Sequence, residues 1–358
     1  MKFRIHLLTP VNIGNGVVLS QFCDYIYDKS FVYYINHDLL AKELARRSNS
    51  DELLDRFVLI AQKQAGDSIK DRFKLKSFLE EVGLDYKQIA MKKIRVKHEI
   101  KEQIQEQAKS AGQPFIPGSS IKGAIRTALI SFLFELEHEG SILEYLDAKK
   151  RENYIGQNYF GLYGEDNLKY LLVSDTMPFP NKDLGIAKFF TFNLESEKTT
   201  IPIIKEVIAK DSTSTFTIKT KAVGNDVKPE YVFLQEEKED FLLRIINEYT
   251  RRNIEIELEL LKRCKSSNVK DIKEFYAGLL QDVKKADSAA EAYLRIGSGK
   301  TFYDNTIAQN LSKKSLSQII SKNFKKADAN FFPKTRTVLE EGGSKEVPGW
   351  VKISRLVG

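Results

Sequence analysis

Pro114-Phe115-Ile116-Pro117-Gly118-Ser119-Ser120-Ile121-Lys122-Gly123-Ala124-Ile125-Arg126 joins a Pro-Gly turn to a strong helix start. Pro117 fixes its own φ, Gly118 admits backbone angles that other residues avoid, and a Ser119 or Ser120 hydroxyl can accept from the first orphan N–H groups of the helix. From Ile121 the apolar residues recur at Ala124, Ile125, Ala128, Leu129, Phe132, Leu133 and Leu136, the stripe of an amphipathic helix. Lys122 and Arg126 lie four apart on another face. Free N–H groups, serine hydroxyls, the positive end of the helix dipole and two cations make a corner suited to phosphate. The same residues also describe a well-capped core helix with two solvated cations, and this stretch alone does not choose between the two.

The chain has 358 residues, 42% of them hydrophobic, enough apolar material for one large or two moderate domains rather than a disordered chain. The net charge is +7, and residues 313–358 hold 10 Lys/Arg against 4 Asp/Glu, so most of the excess sits at the carboxyl end, as a surface facing a polyanion requires. A basic tail can equally be solvated, but Phe324, Phe331, Phe332 and Trp350 are interleaved with these charges and argue for a folded segment. Cys23 and Cys264 stand far apart, which excludes a disulfide framework and fits a reducing cytoplasm. His6, His37, His98 and His138 are scattered, so neither a structural zinc nor any other metal or cofactor is expected. The amino end reads as an amphipathic strand rather than a signal peptide. No apolar run approaches the ~20 residues that cross a bilayer, so a cytoplasmic protein without a membrane partner is expected.

Residues 2–8 and 17–35 read as strands separated by the Gly14-Asn15-Gly16 turn. A helical stretch is expected from about Asp38 to Gln107, with breaks at Ser48-Asn49-Ser50 and Gly66 and a basic run, Lys92-Lys93-Ile94-Arg95-Val96-Lys97, that reads first as a solvated face. Gly156, Gly161 and Gly164 punctuate a connector before a strand at Leu168 to Asp175. Further strands are read at Ala187 to Phe192 and Phe216 to Lys219, helix from Glu239 to about Ala292, and loop and strand beyond. Without regular βαβ alternation, the fold class is α+β.

Three passages accompany the opening stretch. Leu8-Thr9-Pro10-Val11-Asn12-Ile13-Gly14-Asn15-Gly16 ends the first strand in a glycine turn, and Leu171-Leu172-Val173-Ser174-Asp175-Thr176 ends a strand in a Ser-Asp pair. Leu294-Arg295-Ile296-Gly297-Ser298-Gly299-Lys300-Thr301-Phe302 forms a glycine-rich loop, followed by Phe332-Pro333-Lys334-Thr335-Arg336 and Pro348-Gly349-Trp350-Val351-Lys352. In order and spacing over nearly the whole chain, these motifs resemble the RAMP superfamily of CRISPR RNA-binding proteins. The resemblance implies a ferredoxin-like, RRM-related RAMP core with helical insertions, placed at residues 1–230 with the insertion at about 38–112. A mainly helical region with the glycine-rich loop and basic closing strands would fill 231–358. It further implies a non-catalytic subunit of a type III-A CRISPR effector complex that caps the 3′ end of the crRNA and serves its 3′ maturation in antiviral defence. Its partners would be crRNA, the neighbouring RAMP backbone subunit, other Csm subunits and host nucleases. RNA contacts would come from Asn12, Gly14, Asn15, Gly16, Ser119, Ser120, Lys122, Arg126, Gly297, Ser298, Gly299, Lys300, Thr301, Lys334 and Arg336. Phosphates and RNA shape, rather than bases, would be recognised.

Two other functions compete. Gly299-Lys300-Thr301 ends like a Walker loop, but Leu294 stands where its leading glycine belongs, so nucleotide binding is rejected and a turn or a backbone close to RNA remains. Gly14-Asn15-Gly16 likewise could be only a tight hairpin. An endoribonuclease of the same superfamily is the alternative, because related backbone subunits carry an RNA-cleaving aspartate after their first strand. Asp24 has a strand-like context, Phe22-Cys23-Asp24-Tyr25-Ile26-Tyr27, and no metal cluster or general base accompanies it. A purely structural protein would show no RNA contact at all.

Overall fold

The structure, a computed structural model, describes residues 1–62, 75–135, 156–162, 165–224, 226–264, 267–325, 327–328, 331–341 and 343–356. Gly66, Leu136, His138 and Gly164 lie outside them. The chain runs through β1 (Lys2–Leu7), β2 (Gly14–Leu19), β3 (Tyr25–Asp28), β4 (Phe31–Ile35), α1 (His37–Ala45), α2 (Ser50–Ala61), α3 (Leu75–Glu81), β5 (Ala90–Arg95), β6 (Ile104–Gln107), β7 (Lys109–Ser110), β8 (Gln113–Pro114) and α4 (Gly118–Glu135). It continues as α5 (Gly156–Phe160), β9 (Leu171–Val173), β10 (Leu184–Asn193), β11 (Ile203–Ile208), β12 (Thr213–Thr220), α6 (Glu239–Lys262), α7 (Lys270–Lys285), β13 (Glu291–Arg295), α8 (Lys313–Asn323), β14 (Thr335–Glu341), β15 (Ser344–Glu346) and β16 (Trp350–Arg355).

Among the described residues the central sheet has the order β13-β16-β1-β12-β9, every neighbour antiparallel. Without the edge strand β13, the succession β1-α4-β9-β12-α6-β16 and the order β16-β1-β12-β9 are those of a ferredoxin-like unit, so the α+β expectation holds. Its α6 and β16 nevertheless come from beyond the expected 1–230 boundary, because the last strand of the unit is the last of the chain to pair with β1. The alternation of Lys2 to Leu7 explains the layer. Phe3, Ile5 and Leu7 are fully buried, and the register sets Phe3 beside Phe216, Ile5 beside Ile353 and Leu7 beside Val351. Onto this face pack Ile121, Ile125, Ala128 and Leu129 of α4 and Leu242, Leu243 and Ile246 of α6. Each large apolar side chain so buried contributes about 1.5–3 kcal/mol.

A second sheet, β15-β14-β10-β11-β6-β2, is built from excursions between the core strands, with β6 and β11 parallel. Residues 8–13 join the two sheets, and Val11 exchanges hydrogen bonds with Ile208 at 3.0 and 2.8 Å. A third sheet, β3-β4-β5, packs with α1, α2 and α3 around Leu40, Leu44, Phe78 and Leu79. The helical stretch expected up to Gln107 therefore ends at α3. Lys92-Lys93-Ile94-Arg95 alternates with period two, Ile94 buried between exposed Lys93 and Arg95, and forms an edge strand. Conversely, residues 313–323, read as loop and strand, form α8, capped by Ser312, whose Oγ accepts from Ser315 N at 3.2 Å.

Candidate nucleic-acid interface

β1 and β9 end, and β12 and β16 begin, at one end of the central sheet, so the motif loops of the sequence gather there. The loop after β13 is the best-defined of them. Ser298 N donates to Asn12 O at 2.9 Å, Ser298 Oγ donates to Asn12 Oδ1 at 2.6 Å, and Asn12 Nδ2 donates to Glu206 O at 2.8 Å. Gly297 has φ +70, and a Cβ there would stand 2.2 Å from Asn12 O, so no other residue fits. The far side is held by Asp304, which accepts from Thr301 N at 2.7 Å and from Arg295 Nη1 at 2.9 Å. Asn12, 1% exposed, is thus a buried tie between loops rather than a surface contact.

Lys205, absent from the expected contacts, reaches this loop from β11 and donates to Ser298 Oγ at 3.0 Å across the Phe189 ring. Burial lowers the pKa of Lys205 and of Lys300, which lies in the loop itself. Neither ammonium is bridged to a carboxylate among the described residues, because Asp304, the acid nearest in effect to Lys300, is engaged by Arg295 and Thr301. Two partly desolvated cations without a carboxylate bridge among the described residues favour an anion. The signal for Lys205 was a Lys-Glu pair at the centre of an otherwise apolar strand, Ile203-Ile204-Lys205-Glu206-Val207-Ile208.

The expected Gly14-Asn15-Gly16 turn is instead the start of β2, where Gly14 pairs with Gln107 of β6 and the register shifts before Val18. Asn15 Nδ2 donates to Glu106 Oε2 at 2.6 Å, and Asn15 Oδ1 accepts from Val17 N at 2.9 Å, while Gly14 and Gly16 face open space. Beneath it, fully buried Glu206 accepts from Lys109 Nζ at 2.7 Å and from Gln107 N at 3.0 Å.

The start of α4 departs from the expected phosphate corner. Gly118 N donates to Asp175 Oδ1 at 2.7 Å, so a carboxylate from the strand-ending Ser-Asp pair already caps the helix. A Cβ on Gly118 would lie 2.4 Å from Val173 O. Lys122 turns away to donate to Leu168 O at 2.9 Å and Leu171 O at 2.8 Å, and the Arg126 guanidinium lies 5.7 Å from the Phe160 ring centre. Ser119 and Gly123 are exposed. Arg336 is a second correction: it is 1% exposed and paired through two nitrogens with Glu257, so it underpins the fold and does not reach solvent. Lys334 is bridged to Glu195 at 2.7 Å on the surface. Asp24 accepts from Ser20 N at 2.7 Å and lies 3.4 Å from His37 Nε2, which fits a turn-holding role.

The profile of the RAMP superfamily matches residues 4–302. The chain belongs to the RAMP superfamily. Among its members, this chain is 28% identical to the CRISPR system protein Csm5 of Methanocaldococcus jannaschii, over 99% of this chain and 88% of that one. It is 25% identical to Csm5 of Streptococcus thermophilus, over 61% of this chain and 64% of that one. A chain in the cryo-EM structure of a Csm-crRNA-target RNA ternary complex of a type III-A CRISPR-Cas system shares the fold, with a TM-score of 0.70 at 21% identity and coverage of 99% and 100%. The crystal structure of T. onnurineus Csm5 gives 0.64 at 20% identity, with coverage of 97% and 99%. No helix among the described residues is long and apolar enough to cross a membrane, and no cluster of His, Cys, Asp or Glu among them could hold a metal.

Proposed function

We propose that this protein is the RNA-binding subunit that caps the 3′ end of the crRNA in a type III-A CRISPR effector complex. It docks on the neighbouring RAMP backbone subunit and other Csm subunits, is required for 3′ maturation of the guide by host nucleases, and leaves bond cleavage to its partners in antiviral defence. The observation that carries this reading is the pair of half-buried lysines, Lys205 and Lys300, flanking a rigid glycine loop without a carboxylate bridge among the described residues. A phosphate supplies the missing counter-charge, and the loop geometry lets a ribose-phosphate chain approach closely. The likeness to Csm5 proteins supplies the biological setting.

The test is a salt titration of crRNA affinity for the full chain and for Lys205→Ala/Lys300→Ala. Each lost phosphate contact on a single strand lowers the slope of log K against log salt by roughly 0.7, so the double variant should flatten it by about 1.4. An unchanged slope in a variant with unchanged circular dichroism removes this site.

A further inference from the structure

The glycine loop runs directly into Phe302, and Phe302 belongs to a small aromatic cluster. Its ring packs edge-on against Phe332 at 5.0 Å and against Phe324 at 6.2 Å, while Phe324 and Phe332 lie 4.8 Å apart. Phe332 is 9% exposed, whereas Phe324, the outermost ring, is 42% exposed. A single exposed phenylalanine is ordinary. The surroundings of this one are not. Residues 313–326 contain Lys313, Lys314, Lys322, Lys325 and Lys326 and no acidic residue. The helix α8, which carries Lys313, Lys314 and Lys322, is anchored by buried Ile320 and by Leu316, which packs against Leu260, Tyr303 and Ala308. Lys313 and Lys314 are exposed in its first turn, where the helix dipole disfavours cations; Glu259 of α6 lies within electrostatic reach of Lys313, and helix stability does not account for Lys314. Lys325 is exposed next to the ring. An anion along this helix accounts for the charge, and a flat π-surface accounts for the ring.

We propose that α8 and Phe324 form a second RNA subsite, in which an unpaired base stacks on Phe324 while the flanking phosphates face Lys325 and the lysines of α8. Stacking with cations on either side selects single-stranded RNA without selecting sequence. The subsite rests on the RNA-binding reading above and extends it from the glycine loop along the strand that leaves the loop at Phe302. A structured duplex, whose bases are not free to stack, gains nothing from it.

The experiment measures fluorescence anisotropy of a 3′-labelled single-stranded RNA, and of a duplex of the same sequence, on the full-length protein, Phe324→Ala, Phe324→Trp and Lys205→Ala/Lys300→Ala. Phe324→Ala should weaken single-strand binding about tenfold, Phe324→Trp should retain it, and the duplex should bind all Phe324 variants alike. Near-UV circular dichroism checks that the aromatic cluster keeps its packing. If Phe324→Ala binds the single strand like the parent protein while the lysine double variant loses affinity, the subsite is wrong and the loop site stands. If the parent protein itself does not bind the single strand, the RNA-binding reading fails first.

Discussion

Arg295 and Arg336 lie just below the glycine loop, and Lys205 and Lys300 lie beside it, yet the two pairs of cations serve opposite ends. Both arginines are almost wholly buried, at 5% and 1% exposure, and each is matched to a carboxylate, Asp304 and Glu257. Both lysines are half-buried and lack such a partner among the described residues. A planar guanidinium suits a permanent buried pair with a carboxylate, through two hydrogen bonds for Arg336 and one for Arg295, whereas a lysine ammonium is a point charge that a phosphate can satisfy on arrival. In this fold a cation is structural or available for binding according to what it meets within its own chain. The largest expected effect follows from that distinction. Arg336→Ala leaves Glu257 buried and unpaired, so it should cost about 3–5 kcal/mol in a urea unfolding experiment, while Arg336→Met/Glu257→Leu should recover most of the loss. A stable Arg336→Ala variant with weakened RNA binding would place Arg336 in the other class.

Glycines divide in the same way. Gly118 and Gly297 are required by backbone atoms that leave no room for a Cβ, but Gly123 sits inside α4, exposed, with nothing within 4 Å of the point a Cβ would occupy. An interior helix glycine is about 1 kcal/mol less favourable than alanine, and no contact among the described residues requires it. Gly123→Ala should therefore raise stability in urea by up to about 1 kcal/mol while lowering crRNA affinity, because a methyl group would hold a close-lying strand away. A gain in stability with unchanged affinity would make the exposed face of α4 bystander surface.

The core was legible because its signals are local. The alternation of Phe3, Ile5 and Leu7 and the stripe from Ile121 through Leu129 each lie within one element and recur in the structure as expected. The second sheet was not, since β2 finds its partner at Gly14–Gln107 and the strands of 203–208 and 104–107 meet only in three dimensions. The site was legible as motifs but not as roles. Lys122 finds its carbonyls 46 and 49 residues away, and Arg336 finds Glu257 79 residues away, so the sequence at each position reads simply as an exposed cation. Lys205 escapes a sequence reading for the converse reason, that it lies in an apolar strand where packing is the first expectation.

Lys92 tests the comparison at its weakest point, because it is a lysine that has a buried acid for a partner. Its Nζ lies 3.5 Å from Glu206 and 4.1 Å above the Tyr34 ring, and Lys109, which also binds Glu206, crowds it, with Glu106 beyond. Burial is the main cause that lowers its pKa from 10.5 to about 8, with the neighbouring Lys109 adding to the shift and Glu206 opposing it. Below about pH 8 both folded and unfolded chains carry this proton, and the cost of burying the charge is constant. Between about 8 and 10.5 the unfolded chain still holds the proton that the folded chain has released, so stability from this group rises with pH across that window. Urea midpoints of the parent protein and Lys92→Met, compared from about pH 7 to about pH 10, should thus diverge in favour of the parent as pH rises. Titrating groups remote from Lys92 cancel in the difference, whereas Lys109 and Glu206, which touch it, contribute to the same window. A flat difference would mean that Glu206 holds Lys92 charged throughout, as firmly as Glu257 holds Arg336, and would move this lysine into the structural class.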